Sequence, residues 1–344
     1  MDTAKLLDWY RKNRRDLPWR GTKDVYRVLV SEMMLQQTTV ETVLGYYGRF
    51  LSRFPDVQAL AAVSEEDVLE MWKGLGYYSR ARNLHRLARQ IAAAGAFPDT
   101  LEGWRKLPGV GPYIAGAVTS IALGLSHAAV DGNVLRVFAR VDGIEDDIML
   151  PQTKKRVEAR VQALMPADAA GDFTQALMEL GALVCRPVSP DCGACPVADG
   201  CAAYQRGLVD RLPVKKPREK QQVISLWVAV AQTPDAVLLE HRREETLLAR
   251  MWGLPNVEKL PARPAEELFA EKYGIHLPAG EPAGHAVHVF THRRWEMDVV
   301  RYTLDEKIPV GGTLEWVSWE QFDKKPVPTA FLKALWAAGK EDSA

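Results

Sequence analysis

The sequence predicts a two-domain protein, an all-α domain followed by an α+β domain. The chain has 344 residues, and at about 100–200 residues per domain that length favours two domains over one. Residues 1–203 place apolar side chains three or four positions apart, the period of amphipathic helices. Residues 223–344 combine short β-branched runs and an alternating segment with two helical segments. Residues 204–222 are polar, contain two prolines, and are predicted to be an exposed linker.

Charge and hydropathy narrow the function. Basic and acidic residues cancel, 44 against 44, so no overall charge attracts nucleic acid or a membrane, and any anion site has to be local. The N-terminal segment has no apolar signal region, and no run of about 18 apolar residues occurs. We therefore expect a cytoplasmic protein that does not associate with a membrane.

The first candidate catalytic residue is Glu32, in a helix predicted over residues 24–37. It shares a helix face with Val25, Val28 and Leu29, and the other faces are also largely apolar, so the helix should be buried. Desolvation raises the pKa of a carboxyl group and keeps it protonated near neutral pH, which suits a general acid. A structural ion pair with a buried arginine is the alternative, and the pattern alone leaves both open.

Residues 72–89 form a local basic segment that contains Arg80 and Arg82 and no acidic residue. Tyr77 and Tyr78 follow two glycines within it. Such a segment can stack an aromatic ring against bases while arginines hold phosphates. A solvated helix face with core tyrosines is the competing interpretation.

The next motif, residues 107–113, places glycines 109 and 111 between two helical segments. Glycine permits a tight turn with exposed backbone N–H groups, and Pro112 suits the first turn of the following helix. A helix N-terminus of this kind binds anions such as phosphate without basic side chains. A mere connection between helices is the alternative, and a Rossmann fingerprint is excluded because no strand precedes the motif.

Asp131-Gly132-Asn133 interrupts an otherwise apolar stretch, just before a helix predicted over residues 133–141. An acid at this junction has two interpretations, an N-cap for the helix or a catalytic carboxylate at a helix start. Taken in isolation, the residues favour the N-cap.

All four cysteines lie within residues 185–201, separated by six, two and five residues; they are Cys185, Cys192, Cys195 and Cys201. Two disulfides are disfavoured in a reducing compartment, whereas a cluster of thiols in one short segment is typical of a metal centre. Zinc ribbons favour two CxxC pairs and this segment has one, so a [4Fe–4S] cluster is the leading prediction and zinc the second.

Taken together, these motifs resemble the helix-hairpin-helix DNA glycosylases that carry an iron–sulfur cluster, specifically the MutY-type adenine glycosylases. SEMMLQQT, GLGYYSRARNL, LPGVGPYIAGA, VDGNVLRV and the cysteine spacing occur in the family's order. The resemblance implies base flipping, which brings the glycosidic bond within reach of the enzyme. It implies that Glu32 protonates the adenine, that Asp131 stabilises the oxocarbenium-like sugar and that Tyr113 and Asn133 support these two carboxylates.

For DNA binding, the resemblance implies that the hairpin residues Gly109, Val110 and Gly111 bind a phosphate. It also implies that Gln37 and Tyr78 enter the base stack. The endonuclease III-like lyases have a lysine where Tyr113 stands, and that lysine forms the Schiff base needed for strand cleavage. The expected enzyme therefore removes a base without an efficient lyase step.

Residues 223–344 resemble the Nudix-like C-terminal domain of the same family, and Phe290, Thr291 and His292 match its 8-oxoguanine recognition loop. Too few carboxylates stand at the Nudix-box positions to hold a catalytic metal. The expected substrate is duplex DNA with adenine opposite 8-oxoguanine or guanine, and the expected state is a monomer. The alternatives are a glycosylase/lyase for oxidised pyrimidines and a non-catalytic, cluster-bearing DNA-binding protein.

Overall fold

The computed structural model describes residues 1–216, 221–243, 247–290 and 292–339. The chain divides into two compact units. The first comprises Met1–Val68 and Ser79–Pro217, and the second comprises Leu69–Tyr78 and Arg218–Ala344.

The first unit is helical, which confirms the predicted class of this part of the chain. The helices, with α5 running across the boundary between the units, are α1 Thr3–Asn13, α2 Val25–Leu35, α3 Val40–Arg53, α4 Val57–Ala62, α5 Glu65–Met71, α6 Ser79–Ala94, α7 Leu101–Arg105, α8 Pro112–Ile121, α9 Gly132–Val141, α10 Pro151–Leu164, α11 Ala170–Leu183 and α12 Ala202–Gln205. Several begin at an aspartate or threonine whose side chain accepts a backbone N–H of the first turn, as Asp24 does from Arg27 at 2.9 Å.

Helices α2, α8, α9 and α11 pack together and carry the residues of the candidate site. Their apolar faces bury Leu29, Phe138 and Phe173 completely. Helix α11 passes close to the start of α9, because a Cβ atom at Gly181 would lie 2.6 Å from the Cβ of Asn133. A larger residue at position 181 would therefore displace the start of α9.

The prediction of an exposed linker over residues 204–222 is wrong for residues 204–216. Leu212 is buried, its carbonyl oxygen accepts a hydrogen bond from Arg140 Nε at 2.8 Å, and the carbonyl of Val214 accepts one from the backbone N–H of Ile148 at 3.1 Å. These contacts fix residues 204–216 to the helical unit. The polar composition did not reveal that this segment binds the helical unit through its backbone carbonyls and the buried side chain of Leu212.

The second unit contains a mixed sheet with the strand order β3-β2-β1-β6-β5, in which β4 pairs with β1 and β7 with β2. The strands are β1 Gln222–Gln232, β2 Ala236–His241, β3 Trp252–Gly253, β4 Asn256–Glu258, β5 Glu281–Val289, β6 Arg293–Thr303 and β7 Leu314–Ser318. The helices are α13 Ala265–Tyr273, α14 Trp319–Phe322 and α15 Thr329–Ala337. The pair β1–β6 is parallel and the other pairs are antiparallel.

Each face of this sheet covers its own core. Phe331 of α15 packs with one set of buried strand residues, and Phe269 of α13 packs with the other. The architecture confirms the α+β prediction for this part of the chain. Among the described residues, no helix is both long and apolar enough to span a bilayer.

Candidate active site

Glu32 lies in the last turns of α2 and is 5% exposed. The hydroxyl of Tyr113, in the first turn of α8, donates a hydrogen bond of 2.5 Å to Glu32 Oε2. Burial raises the pKa of Glu32, although the Tyr113 hydrogen bond and the charge of Arg20 oppose that shift. Burial and the nearby carboxyls also raise the pKa of Tyr113, so its hydroxyl stays protonated and remains a donor. The pair is suited to holding a protonated carboxyl near neutral pH.

Asp131 is the N-cap of α9. One carboxylate oxygen accepts the backbone N–H of Val134 at 2.7 Å, and the other accepts from Asn133 Nδ2 at 2.8 Å. Burial raises the pKa of Asp131, and these donors oppose the shift by stabilising the charged form. Asp131 therefore caps a helix, and its carboxylate also lies in a half-buried polar site, so its catalytic role stays a prediction.

Glu32 and Asp131 belong to one electrostatic environment, because the charge of Asp131 raises the pKa of Glu32. Two interacting carboxyls with different hydrogen-bond partners can hold different protonation states. Glu32 is therefore the carboxyl better suited to act as an acid, and Asp131 is the one whose charged form accepts more hydrogen bonds.

The sequence reasoning missed a second buried carboxylate beside this site, Glu179 of α11. It is fully buried, and it accepts hydrogen bonds of 2.8 to 3.0 Å from Arg15 and Arg20. Arg20 also donates to Gln175 Oε1 at 2.7 Å. Glu179 stands in an apolar helix just as Glu32 does, so the signal that found Glu32 was present at position 179 as well.

A chain of hydrogen bonds runs from the cysteine loop to Asp131. Arg136 Nε donates to the carbonyl of Cys185 at 2.8 Å, and Arg136 Nη2 donates to Asn133 Oδ1 at 2.7 Å. Asn133 in turn donates to Asp131. Arg136 was also missed, and its place inside the apolar stretch VLRVFARV was the available signal.

The four cysteines line one cavity, together with apolar side chains that include Val137, Leu180 and Val197. Arg140 Nη1 donates to Cys185 Sγ at 3.4 Å, and burial raises the pKa of Cys195 to about 11. Within the described ranges, no group of three or more His, Cys, Asp or Glu side chains is arranged to hold a metal ion. A [4Fe–4S] cubane takes one thiolate ligand on each of its four irons, so the four sulfur atoms need not converge on a single point. An apolar cavity that all four cysteines line, with one guanidinium beside it, suits such a cluster.

The hairpin between α7 and α8 has the predicted form. Gly109 has a φ of 74°, and a Cβ atom there would lie 2.5 Å from the Cβ of Asn83, so glycine is required. Gly111 is the N-cap of α8 without a side-chain cap, and both glycines are exposed. Val110 differs from its predicted role as a phosphate contact, because its side chain is buried and its N–H already donates to the carbonyl of Leu107 at 3.2 Å.

The predicted DNA-contacting side chains fall into two groups. Gln37 is exposed, with a φ of 57°, and Arg82 is half-buried. Arg80 differs from the prediction, since its guanidinium is buried and donates to backbone carbonyls that include that of Gln36. Tyr78 also differs, because it is 6% exposed whereas Tyr77 is 49% exposed. A buried donor satisfied by carbonyls is not available to a phosphate, and a buried ring is not available to a base.

In the second unit, Phe290 and His292 occupy the turn between β5 and β6, and Thr291 lies outside the described residues. The Phe290 ring packs against Trp295, with centroids 4.9 Å apart, and against His288 at 4.5 Å. His292 is exposed. Phe290 thus anchors the turn and is half-buried, and His292 is the more exposed side chain of the pair.

Comparisons with known proteins match three family models to the chain. Residues 30–167 match the HhH-GPD superfamily of base excision DNA repair proteins, residues 185–201 match the iron–sulfur binding domain of endonuclease III, and residues 226–337 match the NUDIX domain.

The adenine DNA glycosylase of Mus musculus is 36% identical over 396 residues, which cover 96% of this chain and 76% of the mouse protein. The chain belongs to the adenine DNA glycosylase family. The Homo sapiens member is 34% identical, with 96% of this chain and 73% of that protein covered. A member from Buchnera aphidicola subsp. Schizaphis graminum is 34% identical, with 74% of each chain covered.

Solved structures agree with this fold. A thermostable thymine-DNA glycosylase aligns with a TM-score of 0.54 and 30% identity over 59% of this chain and 95% of its own. Endonuclease III in a non-covalent DNA complex aligns with a TM-score of 0.51 and 22% identity over 60% of this chain and 94% of its own. The second match concerns the fold alone.

Membership in the adenine DNA glycosylase family makes the chain a base excision DNA glycosylase that carries an iron–sulfur cluster. The matched iron–sulfur segment begins and ends at Cys185 and Cys201, and the donor set, the apolar cavity and Arg140 fit the [4Fe–4S] cluster. Cys185, Cys192, Cys195 and Cys201 would hold the cluster, which would then tie the ends of the 185–201 loop together.

Proposed function

We propose that this protein excises adenine mispaired with 8-oxoguanine or guanine from duplex DNA, by acid-assisted hydrolysis of the N-glycosidic bond and without a lyase step. The observation that carries the proposal is the buried Glu32–Tyr113 pair beside Asp131. Both carboxyls come from one chain, which supports action as a monomer.

Glu32 is the proposed general acid. A base leaves the sugar more readily when it departs neutral, so a proton has to reach the adenine ring as the bond breaks. Burial raises the pKa of Glu32 and so favours its protonated form, and the Tyr113 hydroxyl fixes one of its oxygens, which leaves the other oxygen to deliver the proton. The resemblance assigns N7 of adenine as the acceptor.

Asp131 is the proposed stabiliser of the positive charge that develops on the sugar. The donors from Val134 and Asn133 fix both of its oxygens and favour its charged form. Its position at the N-terminus of α9 also favours negative charge. A second carboxylate that stabilises the sugar or activates water is the usual partner of the acid in glycosidic cleavage.

Tyr113 argues against the glycosylase/lyase alternative. A lyase step needs an amine that attacks the sugar and forms a Schiff base. The residue at this position is a tyrosine whose raised pKa keeps it a neutral phenol, and a phenol cannot form that intermediate. Borohydride is therefore expected to trap little or no covalent protein–DNA adduct.

The hairpin at Gly109 and Gly111 is the proposed phosphate site, because both glycines are exposed and α8 begins there without a side-chain cap. Among aromatic side chains, Tyr77 is the better candidate for the base stack than Tyr78, since half of its surface is accessible. His292 is the proposed contact to 8-oxoguanine, held in place by the packing of Phe290 on Trp295. The four free thiols suit a reducing compartment and support a cytoplasmic location.

The deciding experiment is an excision assay with the holoenzyme on duplexes that carry adenine opposite 8-oxoguanine, guanine, cytosine or thymine. We expect adenine release in the order 8-oxoguanine, then guanine, then the pyrimidines. His292→Ala should lower the preference for 8-oxoguanine over guanine by roughly tenfold to a hundredfold, which corresponds to about 1–3 kcal/mol of lost contacts. Release of an oxidised pyrimidine with strand cleavage, and no adenine release, would favour the lyase alternative.

A further inference from the structure

The turn that follows the catalytic helix has a strained backbone. Helix α2 ends at Leu35, and Gln37 adopts a φ of 57°, in the left-handed region that residues other than glycine rarely occupy. Strain of this kind persists only where the surrounding structure enforces it, and it occurs most often at functional sites. The turn lies five residues beyond Glu32, so its conformation and the end of the catalytic helix are fixed together.

Arg80 supplies the contacts that enforce this conformation. The side chain is 6% exposed and comes from the first turn of α6. Its Nη1 donates to the carbonyls of Met33 at 3.0 Å, Met34 at 2.6 Å and Gln36 at 2.5 Å. Its Nη2 donates to Thr38 Oγ1 at 2.9 Å. One guanidinium therefore bonds the residues on both sides of Gln37, Gln36 and Thr38, as well as the last turn of α2.

This set of hydrogen bonds requires an arginine. The last carbonyls of a helix have no partner within the helix, and a cation at a helix C-terminus is favourable. A guanidinium presents several donors in a rigid plane, so it can join the helix end to the Thr38 hydroxyl, whereas an ammonium group is a compact point charge. Because these donors are spent on backbone and hydroxyl acceptors, Arg80 does not serve as a phosphate contact.

We propose that Arg80 is a positioning residue for base extrusion, which locks the Gln36–Thr38 turn so that Gln37 projects toward DNA while Glu32 keeps its place in α2. The inference rests on the proposed adenine excision. Arg80 acts through Gln37 and not on the substrate. Its loss should slow extrusion of the base more than it weakens binding of the duplex.

The test uses the holoenzyme with five variants, Arg80→Gln, Arg80→Lys, Gln37→Ala, the double variant Arg80→Gln/Gln37→Ala, and Tyr26→Phe as matched control. Tyr26 donates a buried hydrogen bond of 2.9 Å to the carbonyl of Phe54 from the first turn of α2. Its loss thus removes a buried hydrogen bond between a side chain and the backbone, away from the turn. The readouts are the unfolding midpoint, duplex affinity, the single-turnover rate at saturating enzyme, and the fluorescence of 2-aminopurine in place of the target adenine.

We expect Arg80→Gln to lower the single-turnover rate by roughly tenfold to a hundredfold, the order expected when a positioned group moves by about 1 Å. The fluorescence gain that reports the unstacked base should fall with it, while Tyr26→Phe loses stability and keeps its rate. Arg80→Lys should recover only part of the rate. It also carries the test if Arg80→Gln does not yield folded protein.

The double variant separates positioning from general destabilisation. If Arg80 acts through Gln37, the double variant is no slower than the slower single variant, because the second change removes nothing further. Multiplicative losses in the double variant would overturn the proposal. So would a wild-type rate for Gln37→Ala, or a rate for Arg80→Gln equal to that of Tyr26→Phe. Failure of the wild type to release adenine would instead contradict the proposed function.

Discussion

The pKa values of two buried glutamates in the helical unit are shifted in opposite directions. Glu32 is 5% exposed and its principal hydrogen-bond partner is the neutral hydroxyl of Tyr113, so burial raises its pKa. Glu179 is fully buried as well, and burial would raise its pKa too. Hydrogen bonds from Arg15, with the charges of Arg15 and Arg20, outweigh that effect and lower its pKa.

The difference shows that burial alone does not make a carboxyl an acid catalyst. A buried carboxylate that is held by guanidinium groups is a structural anion, whereas one held by a neutral hydroxyl remains a proton donor. Arg20 belongs to both environments, because it bonds Glu179 and its charge opposes the raised pKa of Glu32. The two sites are therefore coupled.

The largest effect is expected from Glu32→Gln. The amide keeps the shape of the side chain and can accept the Tyr113 hydrogen bond, but it has no proton to donate. Excision should fall by about 10²- to 10⁴-fold, the usual contribution of a positioned general acid. Single-turnover assays at saturating enzyme measure this loss, and duplex affinity should change little. Near-normal excision would show that Glu32 is structural, as Glu179 is.

The second prediction concerns Glu179→Gln, which should destabilise the protein by about 3 kcal/mol because it leaves two partly buried guanidinium groups without their anion. The pH dependence follows from the lowered pKa. Its contribution to stability is present above the ordinary glutamate pKa and disappears as the pH falls through the lowered value. Urea unfolding should therefore separate wild type and variant most at neutral pH, with a gap that narrows in acid. A gap that stays constant would contradict the ion-pair account.

How far the sequence predicts these two sites depends on the distance between partners along the chain. Helical periodicity places Glu32 in a buried helix, and the structure agrees. The same pattern surrounds Glu179, but its partners Arg15 and Arg20 lie 164 and 159 residues away. No local pattern reports such a contact. The Tyr77–Tyr78 pair shows a similar limit, because the backbone has positive φ angles at Gly76 and Tyr77 that the local pattern does not report, and Tyr77 is the exposed ring.

A third prediction uses Arg20, the residue that joins the two environments. Arg20→Gln removes a charge that lowers the pKa of Glu32, so that pKa should rise further. The alkaline limb of the rate–pH profile, where Glu32 loses its proton, should then move to higher pH. We expect this displacement to change the rate less than Glu32→Gln does, and single-turnover rates measured across the pH range detect it.

The matched control for Arg20→Gln is Arg15→Gln, which removes the other guanidinium from Glu179. Arg15 is bound to both oxygens of Glu179, and it is not among the groups that shift the pKa of Glu32. Its rate–pH profile should keep the position of the wild-type alkaline limb even if stability falls. Equal displacement of the limb in both variants would mean that Glu179, and not Arg20 itself, sets the protonation of Glu32.

The smallest expected effect is a gain in stability for the same Glu32→Gln change that abolishes excision. A raised pKa in the folded state means that folding favours the protonated carboxyl, so the wild type loses stability as the pH rises from the ordinary glutamate pKa toward the raised value. Glutamine carries no charge and avoids this cost. The variant should be more stable than wild type at neutral pH, and the two proteins should converge in acid, where Glu32 is protonated. Urea unfolding across this pH range measures the difference. A Glu32→Gln variant less stable than wild type at neutral pH would instead indicate a structural ion pair, the alternative that the sequence left open, and Glu32 would then be a second Glu179.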